Sequence, residues 1–349
     1  MQTFIDSRLA NLTVPQDLIV TMGQIREFKG KQDLYRVQQP QILESLKQSA
    51  VYESVESSNR IEQVTASTVR IDQIVKRNAR PETRSEAEIA GYKEVLNTIH
   101  SNALNIPRTT SVILQFHRDL YKHLEGRGGY WKRADNSIKE ILPDGTERIR
   151  FQTVPAFETA AAMERLQSQF NGYWEAGQVD RLILIPAYVL DFLSIHPFPD
   201  GNGRMARLLA LLYLYQDGFE VGRYISLERR IEETKDQYYD TLHACSQGWH
   251  EGTHSPIGFI DYFLSAVLLP CYRKFAERVE SQTIRRGAKQ VAVKTAVERA
   301  PDQFQVADIR RVCPNVSQAT INLVLRQLRQ EGAIMCIRAG RDAIWEKAG

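Results

Sequence analysis

The chain has 349 residues, 43% of them hydrophobic and 25% charged. That is the balance of an ordinary soluble globular protein, long enough for two or three domains. No apolar run reaches the ~18 residues that a membrane span needs, and the N-terminus, MQTFIDSRLANLTVP, carries an acid and lacks the long apolar stretch of a secretory signal. Cys245, Cys271, Cys313 and Cys336 are widely spaced with no CxxC pair, which argues against a zinc site and for reduced thiols in a cytoplasmic protein. The net charge of +3 is uneven: residues 285–349 hold twelve Lys/Arg against six Asp/Glu, leaving the rest of the chain near −3. A basic terminal module hints at an anionic partner.

Residues 1–35 read as a mixed arm broken at Pro15. Gln41 to Gln63 is predicted to be a helix, with Ile42, Leu46, Ala50 and Val51 at helical spacing. Ser85 to His100 and Thr110 to Leu124 read as further helices, punctuated by Pro107 and by the glycines of Gly126 to Gly129. Ile138 to Phe151, IKEILPDGTERIRF, has two short alternating arms around Pro143-Asp144-Gly145, a β-hairpin signal. Helical spacing returns over Pro155 to Trp174. Leu182 to Ile195 and Met205 to Tyr215 are apolar and helix-like, and they bracket a tight turn. Lys235 to Gln247 and Pro256 to Val279 are again helical, and the basic segment Thr283 to Val291 reads as a linker or helix end. From Val293 the order is helix, Val306 to Val312 helix, a turn at Pro314, then Gln318 to Gln330 with Ser317 as N-cap. Two short strands follow, Ile334 to Ile337 and Ala343 to Glu346, with Gly340 between them. That order is the signature of a winged helix–turn–helix module.

The turn between the two apolar helices reads HPFPDGNGRMAR from His196 to Arg207. Its second half stands at a helix start, where backbone N–H groups and the helix dipole favour an anion. Gly201 and Gly203 let the backbone approach phosphate oxygens and form a nest of N–H groups. Arg204 and Arg207 lie one turn apart, so both guanidinium groups can reach one polyphosphate. Asp200 offers a hard oxygen ligand for Mg2+ bridging phosphates. His196 is a side chain able to take a proton from a hydroxyl near neutral pH.

This run resembles the Fic family motif, HPFx(D/N)GNGRxxR, at every defined position. The family consists mostly of enzymes that transfer AMP from ATP to a protein hydroxyl. The resemblance implies His196 as the general base, Phe198 as the anchor of the loop in the core and Asp200 as the Mg2+ ligand. It assigns the run Gly201, Asn202, Gly203, Arg204, Met205, Ala206 and Arg207 to ATP, with the first three as an anion hole and the two arginines on the β- and γ-phosphates. Met205, by its apolar spacing with Leu208, Leu209 and Leu212, is also a core position. The expected fold is mainly α: a Fic-type helical core with a β-hairpin flap, plus a small C-terminal winged helix-turn-helix domain. The expected organisation is an N-terminal helical region over 1–110 holding an inhibitory helix at about 41–64, a catalytic core over 111–280 and the winged helix over 285–349.

Ser58 and Glu62 are four apart and share one helix face. Alone they read as a helix-face serine and a solvated glutamate. Beside the Fic motif they resemble the inhibitory (S/T)xxxE(G/N) motif of the family's class II, with Gln63 standing where Gly or Asn is usual. The resemblance implies that the Glu62 carboxylate occupies Arg207, the arginine that the γ-phosphate needs. It likewise makes the hairpin 138–151 a flap that docks a protein target as an added strand, with Gly129-Tyr130-Trp131-Lys132 opening the region, and it sets Tyr238 and Tyr239 against the adenosine. The same site allows AMP removal, alone or beside transfer, and other donors such as UTP or CDP-choline. A different reading is a DNA-binding regulator with a nucleotide-sensing core, contacting DNA through 306–347 with Arg326, Arg329, Arg338 and Arg341. Homodimers are frequent in the family.

Overall fold

The computed structural model describes residues 2–38, 40–124, 126–141, 146–314, 316–338, 340 and 343–348. The backbone divides into two compact units, Met1–Ala276 and Glu277–Gly349.

After a short 3-10 turn at Ile5–Ser7, the first unit has α1 (Gln16–Gln38), a 23-residue helix where the sequence suggests an arm. Leu18, Met22, Ile25 and Gln32 are its buried positions. That spacing is helical, but Gly23, Gly30 and numerous polar residues dilute it. α2 (Pro40–Ile61) falls on the helix expected from Gln41 to Gln63, ending two residues earlier. α3 (Thr68–Arg77) is unexpected; Ser67 caps it by accepting from the Arg70 N–H, and Asn78 ends it in the left-handed region. α4 (Arg84–Asn102) is capped by Thr83, and α5 (Thr110–Leu120) stops four residues short of the expected end.

β1 (Ser137–Ile141) and β2 (Glu147–Gln152) form the predicted antiparallel hairpin, with Ile138 opposite Phe151 and an irregularity between Ile138 and Lys139. The tip, with Pro143-Asp144-Gly145, lies outside the described residues. α6 (Ala156–Ala176), α7 (Arg181–Ile195) and α8 (Asn202–Gln216) follow. α7 is buried from Leu182 to Ile195, and α8 from Arg204 to Tyr215. Tyr188 and Tyr213 pack on Phe170 with ring centroids 4.6 Å away. Each such side chain contributes roughly 1.5–3 kcal/mol of burial, so the turn between α7 and α8 rests on a rigid platform.

α9 (Leu227–Glu233) and α10 (Lys235–Ser246) follow. The helix expected over Pro256 to Val279 is a succession of α11 (Ile257–Asp261), a π-helical stretch (Tyr262–Leu268) and α12 (Leu269–Arg299). α12 runs through Thr283 to Val291, so that segment is helix rather than linker; its Lys, Arg, Ala and Gln are good helix formers.

The second unit contains β3 (Gln303–Gln305), α13 (Val306–Val312), α14 (Gln318–Gln330), β4 (Ile334–Arg338) and β5 (Ile344–Lys347). The strands pair antiparallel in the order β3-β5-β4. Val293, Val297, Phe304, Ile309, Ile321, Val324 and Leu325 are buried together as its core. Both helices fall on their predicted bounds, and Ser317 caps α14 by accepting from the Thr320 N–H. β3 is too short to give a period and was not foreseen. Arg341 lies outside the described residues. No described helix is long and apolar enough to cross a membrane.

Candidate active site

The turn from His196 to Gly201 is fixed at both ends by left-handed residues. His196 ends α7 at φ 52°, with its N–H donating to the Phe192 carbonyl at 3.0 Å. Gly201 opens α8 at φ 80°, and a Cβ there would stand 2.9 Å from the Tyr121 hydroxyl. Four carbonyls of the turn, those of His196, Pro197, Phe198 and Asp200, are taken. The Lys132 N–H donates to Pro197 at 2.8 Å, Asn136 Nδ2 to Phe198 at 3.1 Å and to His196 at 3.4 Å, and His117 Nε2 to Asp200 at 3.1 Å. Asn202 closes the loop as a staple. Its Oδ1 accepts from the Phe198 N–H at 2.9 Å and its Nδ2 donates to the Phe198 carbonyl at 2.8 Å. Phe198 is fully buried and stacks on His117 with centroids 3.7 Å apart. With these four carbonyls engaged elsewhere, this end of α8 presents the N–H groups of its first turn, which have no intrahelical acceptor.

His196 Nδ1 lies 3.3 Å from the Leu193 carbonyl. A carbonyl can only accept, so Nδ1 carries the proton and Nε2 keeps its lone pair. Burial lowers the His196 pKa to about 4, with Lys132 adding to the effect. The ring is therefore a neutral base across the physiological range.

Arg207 is the meeting point of three groups from α2 and its end. Its Nε donates to Ser58 Oγ at 2.9 Å, and one terminal nitrogen donates to the Ser58 carbonyl at 2.9 Å and to Glu62 Oε1 at 2.8 Å. The other terminal nitrogen is buried without a partner. The Glu62 carboxylate also lies over Gly203, where a Cβ would overlap it. It thus occupies the helix start at which an anion is expected. Glu62 is held there by a cap: the Val64 N–H bonds back to the Asn59 carbonyl and the Gln63 N–H to that of Arg60. Those two bonds form a Schellman motif with Gln63 at the left-handed position, φ 61°. The position explains why Gly or Asn is usual there.

Arg204 behaves differently from its neighbour. It is 1% exposed, ion-paired to Glu88 at 2.7 Å, and donates to the Tyr121 hydroxyl at 2.8 Å and to Asn59 Oδ1 at 3.4 Å. Met205 and Ala206 have buried side chains, and the Met205 N–H is spent on the Gly201 carbonyl. Ser58, Glu62, His196, Gly203 and Arg207 converge, then, while Asn202, Arg204, Met205 and Ala206 face the fold.

Glu62, His196, Gly203, Arg207, Tyr238 and Tyr239 line one cavity of about 130 Å3, walled on the flap side by Ile138, Arg150 and Phe151. Ligand pockets usually span roughly 300–1,000 Å3, so the space is small for a nucleotide while Glu62 is in it. Tyr238 is buried and Tyr239 half-buried. Arg150 on β2 reaches Asp240 on α10 at 3.4 Å, which ties the flap across the cavity. Asp200 is 58% exposed, and its Oδ1 accepts from the Gly201 N–H at 2.6 Å. Among the described residues no group of three or more His, Cys, Asp or Glu is placed to hold a metal.

Sequence reasoning missed Asn59, Glu88, Tyr121, His117 and Asn136, all of which hold the motif in place. Glu88 carried a signal, a carboxylate between apolar Ala87 and Ile89 on a helical stretch. Nothing local distinguishes Asn136.

The fold and site define a mainly helical protein in which a loop–helix junction brings backbone N–H groups, Arg207 and a buried, neutral histidine together. Residues 107–214 match the model of the Fic/DOC family. A Fido domain-containing protein of Dictyostelium discoideum is 41% identical over 118 residues, 32% of this chain and 78% of that protein. The chain belongs to the Fic/DOC family. It is also 25% identical over 169 residues to the protein adenylyltransferase Fic of Culex quinquefasciatus, covering 46% of this chain and 29% of that one. The crystal structure of a Fic family protein from Desulfovibrio desulfuricans matches with a TM-score of 0.63 at 17% identity, covering 97% of this chain and 98% of the other. A Fic domain-containing protein from Bacteroides thetaiotaomicron gives 0.60 at 21% identity, covering 74% and 98%.

Proposed function

We propose that this chain transfers AMP from ATP to a hydroxyl of a protein target and is held weakly active by Glu62. The observation that carries the reading is one cavity in which a neutral His196 stands with Arg207, whose guanidinium is occupied by Glu62 at 2.8 Å. His196 Nε2 takes the proton of the target hydroxyl, the oxygen attacks the α-phosphorus in line, and pyrophosphate leaves. The first-turn N–H groups of α8 and Arg207 meet the developing charge. The lone, exposed carboxylate of Asp200 suits Mg2+, which keeps most of its waters and takes one or two carboxylates plus phosphate oxygens. When bound, the ion neutralises phosphate charge. The flap 138–151 is the dock for the target strand, and Tyr238 and Tyr239 are the walls for the adenosine. On its order of elements we read residues 285–349 as a winged helix.

The test is incubation with α-labelled ATP and Mg2+ of three proteins: wild type, Glu62→Gly, and Glu62→Gly with His196→Ala. We expect strong protein-bound label in Glu62→Gly, at least tenfold less in wild type, and none in the double variant. Equal labelling of wild type and Glu62→Gly removes the inhibitory role, and label surviving His196→Ala removes the base. The shared cavity of Glu62 and His196 supports a second reading, in which Glu62 activates water for AMP removal. Loss of label from modified protein in wild type but not in Glu62→Gly supports that second reading, and no loss in either removes it.

A further inference from the structure

Glu88 and Asp200 are linked by two arginines into a closed ring. Arg84 lies 3.0 Å from Glu88, Glu88 lies 2.7 Å from Arg204, Arg204 lies 3.8 Å from Asp200, and Asp200 lies 3.7 Å from Arg84. Glu88 and Arg204 are its buried half, at 3% and 1% side-chain exposure, and Arg84 and Asp200 its open half, at 57% and 58%. We propose that Arg84, at the start of α4, is a third arginine of the polyphosphate site. This rests on the adenylyl-transfer reading above.

Three observations support it. Both terminal nitrogens of Arg204 are engaged by Glu88, Tyr121 and Asn59, and only its buried Nε is without a partner, so its outward edge is not free for an incoming anion. Arg84 is held from behind through its Nε, which bonds Glu88 at 3.0 Å, so its terminal nitrogens project toward Asp200 and solvent. A guanidinium anchored by one edge presents its fork without further loss of side-chain freedom. Charge decides the rest. Around the start of α8, Arg84, Arg204 and Arg207 face Glu62, Glu88 and Asp200, a neutral cluster. When Glu62 leaves, the cluster carries one positive charge, and only because Arg84 is counted. Without Arg84 it is neutral toward an anionic substrate.

The experiment is calorimetric binding of ATP, with and without Mg2+, to Glu62→Gly and to Glu62→Gly carrying Arg84→Ala or Arg84→Lys. Arg84→Ala should weaken Mg2+–ATP binding about fivefold, the effect of one charge-assisted contact of about 1 kcal/mol at a solvated site. Arg84→Lys, keeping the charge, should restore most of it. Arg84 is exposed, and an unchanged melting temperature confirms intact folding. Unchanged or tighter binding in Arg84→Ala overturns the proposal, and tighter binding would show that Arg84 only shields Asp200 from the metal. Failure of the Glu62→Gly parent itself to bind ATP would instead overturn the adenylyl-transfer reading, and Arg84 with it.

Discussion

Gln63 is the residue where sequence and geometry disagree most usefully. It takes the left-handed C′ position of the cap that aims Glu62 at Arg207, with φ 61°. A side chain with a Cβ costs roughly 1–2 kcal/mol in that conformation, and Gly escapes it. Gln63 is exposed, so Gln63→Gly removes strain without removing buried surface. The expected result is an α2 end firmer by about 1 kcal/mol and, on the proposed function, labelling by α-labelled ATP below that of wild type. A melting temperature that rises while labelling also rises would separate the cap from inhibition. The departure from Gly or Asn was legible in the sequence; its reason was not, because a backbone angle leaves no mark on the string. The same holds for Arg204. Its spacing with Arg207 suggested one shared anion, but Glu88 approaches from a helix far away in sequence and takes it. Local spacing places side chains on a face and is silent about what the rest of the fold brings to that face.

At the scale of elements, the flap depends on a buried lysine. Lys132 is 3% exposed, and its Nζ donates to Asn136 Oδ1 at 2.7 Å, Thr153 Oγ1 at 2.9 Å and the Ile195 carbonyl at 3.0 Å. One ammonium thus joins the residues on either side of the hairpin to the end of α7, one residue before His196. Burial lowers its pKa to about 8. Lys132→Met keeps the apolar stem and orphans three acceptors, at a cost of about 1–3 kcal/mol. With the flap as the target dock, the variant placed in the Glu62→Gly background should bind ATP normally and label a protein target poorly. Loss of ATP affinity equal to the loss of labelling would show that Lys132 supports the cavity and not the flap. The hairpin itself was readable, since its alternating arms and Pro-Asp-Gly centre are local signals. So were α13 and α14, whose buried positions recur cleanly between a turn and a cap. α1 was lost because its buried residues are sparse among polar ones. The continuity of α12 was lost because a basic, polar stretch reads as linker until it is seen to continue a helix.

At the scale of the whole molecule, four of the seven histidines are kept neutral by packing. Burial lowers His100 to about 3 and His117, His196 and His254 to about 4. They sit in different parts of the first unit. His100 rests against Tyr215, His117 under the motif loop, His196 at the cavity, and His254 on Thr3, whose hydroxyl also donates to the buried Asp191. In the unfolded chain each titrates near 6.5. Below that value the unfolded state binds more protons than the folded one, so stability is complete above pH ~6.5 and declines as pH falls toward 4. Glu86 and Glu94, lowered in the fold, act in the same direction at the acid end, Glu86 chiefly through its hydrogen bond from Arg70 and Glu94 through Lys122 and His123 against the cost of burial. Each pKa unit corresponds to about 1.4 kcal/mol, so charging the buried histidines alone is a large cost beside a typical stability of about 5–15 kcal/mol. The melting temperature should therefore fall steeply between pH 6.5 and 4.5, and His254→Gln, which keeps a donor for Thr3 and cannot charge, should make the decline shallower. A melting temperature constant over that interval would mean that the histidines reach water in the folded chain.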